Sequence, residues 1–171
     1  SLAVCCVSCG SGDEHSDRAD LSLRGKVKSV TEKQFHAVVS ETGDIEKGSF
    51  FRTNGEWDFT ERFNKKGMFT SISFLDRDGD TISKSLYEYD ADGHLATKSF
   101  YDPALKMKSM YEYDSRGRVK MVCDYDGDGD LMLATSTEYN DENRIETSTT
   151  FNKQGNYLQQ SLSQKNKRVF V

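Results

Sequence analysis

Apolar and polar residues alternate with a period of two along most of the chain, the pattern of half-buried β-strands. A five-residue frame interrupts the alternation at regular intervals. "YEYDADGHL" begins at Tyr87 and "YEYDSRGRV" begins at Tyr111, 24 residues later. Relaxed copies of the frame run Val39–Gly43, Phe51–Gly55, Phe63–Gly67, Leu75–Gly79, Tyr89–Gly93 and Tyr101–Leu105. They continue with Tyr113–Gly117, Tyr125–Gly129, Tyr139–Asn143, Phe151–Gly155 and a degraded Ser163–Lys167. Their first positions are separated by 12, 12, 12, 14, 12, 12, 12, 14, 12 and 12 residues. An aromatic residue, then Asp or Asn, then Gly is turn chemistry. The carboxylate or amide bonds backbone groups two residues on, and the Gly supplies a positive φ. The frame therefore predicts type I turns closed by a Gly bulge, with strands of about seven to nine residues between them.

No window holds helical periodicity over ten residues, so the expected fold is all-β. It is an antiparallel meander of about 10–12 short strands built from β-hairpin repeats, forming a strongly curved sheet or a barrel-like closure. Because every step is even, odd-numbered residues are expected on one face throughout. That face would carry the aromatic stripe Tyr89, Tyr101, Tyr113, Tyr125 and Tyr139 among Ser and Thr residues. Residues 1–9 read as the remnant of an export signal, 10–23 as a flexible tether, and 24–171 as the repeat domain.

Composition sharpens this picture in three ways. Hydrophobic residues make up 35% of the 171 positions, below the roughly 45–50% of an average globular chain, so a thin core with much wetted surface is expected. Nineteen aromatic residues (ten Phe, eight Tyr, one Trp) argue against disorder. A formal charge of -5 and no continuous basic stretch give no case for nucleic acid. Three of the four cysteines lie in "SLAVCCVSCGSGDEHSD", with no partners at zinc-like spacing. Ser8-Cys9 followed by a Gly/Ser/acidic run resembles the processing site of a bacterial lipoprotein. The resemblance implies that Cys9 is lipid-attached and that the membrane is met only through that anchor. Cys123 reads as a small buried apolar residue.

The Tyr89-Asp90, Gly93 and Tyr113-Asp114, Gly117-Arg118-Val119 frames resemble the YD, or RHS, repeat of bacterial cell-surface proteins. The likeness covers about Phe63 to Gly155, and several frames carry Phe-Asn in place of Tyr-Asp. Together with the lipoprotein-like start, it also resembles short secreted lipoproteins of Bacteroides-type bacteria. The resemblance implies export to the bacterial outer membrane, lipid-anchored and either periplasmic or surface-exposed, with carbohydrate or protein partners.

Two clusters invite chemical readings. Asp124, Asp126, Asp128 and Asp130 match the first places of a calcium loop, and Asp76, Asp78 and Asp80 echo them, but Thr135 stands where a bidentate Glu belongs. Plain turn residues and a weak, millimolar-type calcium site both remain open, and no other cofactor is expected. The tyrosine stripe offers rings with hydroxyl handles, suited either to fixing strand register or to lining a groove for sugars or a peptide. His15, His36 and His94 are not paired with a nucleophile by the pattern. The expected function is a non-catalytic cell-envelope binding or scaffold module. A polysaccharide hydrolase using carboxylates on the concave face is the alternative, with Glu61 one of the few acids on that face.

Overall fold

The computed structural model describes residues 16–50, 58–76, 78–142 and 145–164. The strands are β1 (Ser29–Glu32), β2 (Phe35–Val39), β3 (Ile45–Phe50), β4 (Asp58–Phe63), β5 (Phe69–Leu75) and β6 (Thr81–Tyr89). They continue with β7 (Leu95–Asp102), β8 (Ala104–Tyr113), β9 (Val119–Asp126), β10 (Leu131–Asn140), β11 (Ile145–Asn152) and β12 (Tyr157–Gln164). The strand order is β1-β4-β5-β6-β7-β8-β9-β10-β11-β12, with β2 and β3 paired separately. The antiparallel meander is thus as expected. Two compact units divide the chain between Leu86 and Tyr87.

The frame makes the turns in the expected way. In seven hairpins the Gly that ends the frame has a positive φ, as in Gly117 at 73°. Its N–H donates to the carbonyl of the Asp, Asn or Ser three residues earlier, as Gly117 does to Asp114 at 3.0 Å and Gly129 to Asp126 at 3.2 Å. The Asp or Asn side chain closes the same turn a second time. Asp126 Oδ1 accepts the N–H groups of Asp128 (3.0 Å) and Asp130 (2.9 Å), and Asn152 Oδ1 accepts those of Gln154 (3.1 Å) and Asn156 (2.9 Å).

The expected parity of faces does not hold. Residues directly opposed in an antiparallel pair share a face, and here odd opposes even: Phe59 faces Phe74, Ser109 faces Asp124, and Thr137 faces Ser148. In six hairpins a β-bulge one step from the turn is the cause, whereas β10 and β11 pair odd to even with an unbroken register. Tyr113 pairs with Val119, but Glu112 pairs with Met121, so Lys120 is left over. The same slip occurs beside Phe63, Leu75, Tyr101, Tyr125 and Phe151. In each bulged hairpin the one unpaired residue reverses the inward set of the next strand, and a second reversal restores it. The structural period is therefore two repeats, which is why the best-matched copies of the frame stand 24 residues apart.

The sheet is not closed into a barrel; β1 and β12 stand at the two ends of the strand order. The slip also removes the reason for closure, because each face receives the same mixture of rings, hydroxyls and charges and neither can serve as a dry interior. Burial agrees. Phe63 and Leu75 are the buried hydrophobic side chains among the described residues, and both belong to the first unit. Among the described residues of the second unit the buried ones are Thr97, Ser99, Ser109 and Thr150, all short polar side chains.

Part of the expected tether is ordered. Asp17–Asp20 form a short helix, α1, capped by the Ser16 side chain, which accepts from Ala19 N at 3.3 Å. The helix docks on the β4–β5 turn: Arg18 N donates to Gly67 O at 3.0 Å, and Phe69 N donates to Asp17 Oδ2 at 2.6 Å. Cys9 and residues 10–15 lie outside the described residues.

Candidate functional site

The alternating faces split the tyrosine stripe. In the second unit, odd residues of β8 face even residues of β9, which face odd residues of β10, so Tyr113 and Tyr139 share one face. Tyr101 and Tyr125 share the other, through even residues of β8. Tyr89 ends β6. The five rings therefore do not form a single groove. Successive turns of a meander also lie at opposite sheet ends, so the two sets of rings are separated along the strands as well.

Two of the tyrosine hydroxyls serve the sheet. Tyr113 Oη donates to Leu95 O at 2.9 Å, and Tyr139 Oη donates to Val119 O at 2.7 Å. Each ring is covered by the residue that follows a turn Gly: His94 stacks on Tyr113 with centroids 4.7 Å apart, and the Arg118 guanidinium lies 4.0 Å over Tyr139. One rule links neighbouring turns, in which the residue after one Gly clamps the aromatic that opens the next turn on that end. Burial raises the Tyr113 hydroxyl above its usual range, and the Asp90 charge adds to it.

Around Arg118 the clamp becomes a charge network. Its Nε donates to Asp114 Oδ2 at 2.8 Å and its Nη1 to Asp141 Oδ1 at 2.6 Å, while Arg116 Nη1 donates to Asp141 Oδ2 at 2.6 Å. The Arg118 backbone N–H and then its side chain hold the Asp114 carboxyl at about 2, from an ordinary 3.8. A lowered carboxyl stabilises the fold above its unfolded value and loses that contribution as pH falls through its folded one. Asp114→Asn keeps the turn acceptor but removes the charge. Urea midpoints should therefore show the variant below the parent at pH 6, with the gap narrowing from about pH 4 and closing near pH 2.

Two of the four aspartates singled out for calcium have other partners. Asp124 accepts the Ser109 hydroxyl at 2.5 Å, and Asp126 caps its own turn. The carboxylates of Asp124, Asp126, Asp128 and Asp130 do not converge as three ligands. Among the described residues the group that does is Asp90, Asp92 and His94, with ligand atoms within 4.8 Å of one another. His94 Nδ1 already lies 3.4 Å from Asp90 Oδ2. Cys123 is a free, half-buried thiol.

Glu61, on β4, is buried at 9% exposure. Desolvation pushes its carboxyl above the ordinary 4.5, and the charges of Glu32 and Asp17 add to the rise. A raised carboxyl favours the fold only while protonated. Glu61→Gln should therefore raise the melting temperature at pH 7, the gain vanishing below about pH 4.5.

Sequence reasoning missed a basic groove in the first unit. Arg18 of α1, Lys26 and Lys28 ahead of β1, Arg62 of β4 and Lys65 of the next turn line a cavity of about 1020 Å³, with Val27, Ser29, Phe63, Asn64 and Thr70. These cations come from three separated segments, so no window of sequence displays them together. The strand pairing assembles them: Ser29 opposes Arg62, Phe63 N donates to Lys28 O at 2.9 Å, and Arg18 Nη1 donates to Val27 O at 3.3 Å. No protein-family model and no curated protein matches the chain.

Proposed function

We propose that the protein is a non-catalytic binding or scaffold module of the cell envelope, built to present an open, two-faced sheet to carbohydrate or protein. One observation carries this reading: among the described residues of the second unit, turn and cross-strand bonds stand in place of buried apolar side chains. Its faces therefore stay available to a partner. Met107, Met110 and Met132 are 37, 45 and 36% exposed, among Ser and Thr hydroxyls. With the Tyr113 and Tyr139 hydroxyls engaged by backbone carbonyls, those two rings act as register clamps. Contact with a partner then falls to the exposed methionines and hydroxyls between them. The test is a glycan and peptide array probed with the full chain. Retained ligands whose binding falls on Met110→Glu/Met132→Glu support the reading, and ligands insensitive to changes on both faces oppose it.

The envelope location rests on the Ser8-Cys9 resemblance, together with the YD-like frames. Expressed behind a complete lipoprotein signal, the protein should incorporate labelled palmitate and fractionate with membranes, and Cys9→Ala should abolish both. Labelling that survives the substitution would remove the anchor.

The hydrolase alternative has one supporting observation, the buried Glu61 carboxyl with Glu32 and Asp17 near enough to raise it. Release of reducing sugar from polysaccharides, lost in Glu61→Gln, would favour that reading over the module.

A further inference from the structure

We infer that the groove between α1, β1 and β4 is a binding site for a short acidic oligosaccharide, one carrying sulfate or carboxylate groups. Its lining carries five formal positive charges, Arg18, Lys26, Lys28, Arg62 and Lys65, and no acid. Among the described residues none of these five forms an ion pair. The chain as a whole carries a formal charge of -5, so this basic cluster runs against its net charge. Five unpaired cations gathered on an acidic protein repel one another, and an anion relieves that repulsion.

The remaining lining narrows the class of anion. Val27 and the small exposed part of Phe63 offer apolar surface, Ser29 and Thr70 offer hydroxyls, and Asn64 offers an amide. A pyranose ring has an apolar face, hydroxyls around its rim and, in an acidic sugar, a charged substituent, so it meets all three kinds of group. A single inorganic anion would leave most of about 1020 Å³ unfilled. A groove of about 1020 Å³ holds only a few sugar residues, which limits the ligand to a short oligosaccharide. The cations differ in geometry: the Arg18 and Arg62 forks suit planar carboxylate or bidentate sulfate contact, and the lysines act as point charges.

The site uses residues of the first unit alone, so its failure would leave the scaffold reading intact. The test is titration calorimetry on the full chain with four probes: a sulfated tetrasaccharide, a galacturonate tetramer, a neutral glucose tetramer and an oligonucleotide of matched charge. At least one acidic saccharide should bind, more weakly as salt is added, and the neutral one should not bind. Lys28→Glu/Arg62→Glu should weaken that binding at least about tenfold, and Lys120→Glu in the second unit should leave it unchanged. Lys26→Glu/Lys65→Glu, at exposed positions, gives the same reading should the first pair fail to fold. Absence of binding by both acidic saccharides would overturn the inference. So would binding that neither double variant weakens, or a stronger preference for the oligonucleotide.

Discussion

Phe63→Ala should destabilise the protein by about 3–5 kcal/mol, a large loss for one truncation in so thin a core. Phe63 is 7% exposed, and with Leu75 it makes up the buried hydrophobic set among the described residues. Its ring stacks on Phe69 at 5.2 Å, and the two residues are paired across the β4–β5 hairpin. Phe63 also joins β4 to the chain ahead of β1 through its N–H bond to Lys28 O at 2.9 Å. The truncation thus opens a cavity where two hydrogen-bonded strands and a turn meet. An open sheet has little other apolar burial to share the loss. Leu162, 68% exposed on β12, is the matched control, and its replacement by Ala should change stability by no more than about 0.5 kcal/mol. Urea denaturation measures both, and a Phe63→Ala loss under about 1 kcal/mol would show that the first unit has no core.

The second large effect is expected at Gly117. Its φ is +73°, and a Cβ added there would meet His94 Nε2 at 2.9 Å. Gly117→Ala therefore carries a backbone strain of about 1–2 kcal/mol. It also displaces the imidazole from the Tyr113 ring, where the stack contributes about 0.5–1.5 kcal/mol. Gly129 separates the two costs: its φ is +90° and a Cβ there meets nothing within 4 Å. Gly129→Ala should lose only the backbone share. In a His94→Ala background, where the stack is already gone, the two glycine substitutions should become equal. Equal costs in the parent background would mean that the His94–Tyr113 contact adds nothing to the fold.

Turn positions were readable because each turn demands particular residues. Asp114 must reach forward to two N–H groups, and Gly117 must take a positive φ, so both leave a compositional mark every 12 or 14 residues. The bulges leave no such mark. The residues they leave unpaired are Thr70, Ile82, Lys106, Lys120, Met132 and Leu158. These six share no chemistry, because a bulge asks only that one residue forgo its ladder partner. Even spacing alone therefore suggested one aromatic face, where the sheet has two. The Tyr113 and Tyr139 clamps were half legible: the frame marked the rings, but the partners His94 and Arg118 become adjacent only when alternate turns reach the same sheet end. The basic groove was hidden for a related reason, since Arg18, Lys28 and Arg62 meet only through the pairing of β1 with β4.

Alternation of faces from strand to strand underlies the split stripe, the open sheet and the 24-residue period together. Side-chain NOEs across the β10–β11 hairpin test it most directly. Thr135 opposes Thr150 with hydroxyls 3.0 Å apart, and Thr137 opposes Ser148 at the same distance. Strong cross-peaks between the side chains of Thr135 and Thr150, and of Thr137 and Ser148, are the predicted result. Cross-peaks joining Thr137 to the methyl groups of Thr147 or Thr149 would place odd residues opposite odd and contradict the account.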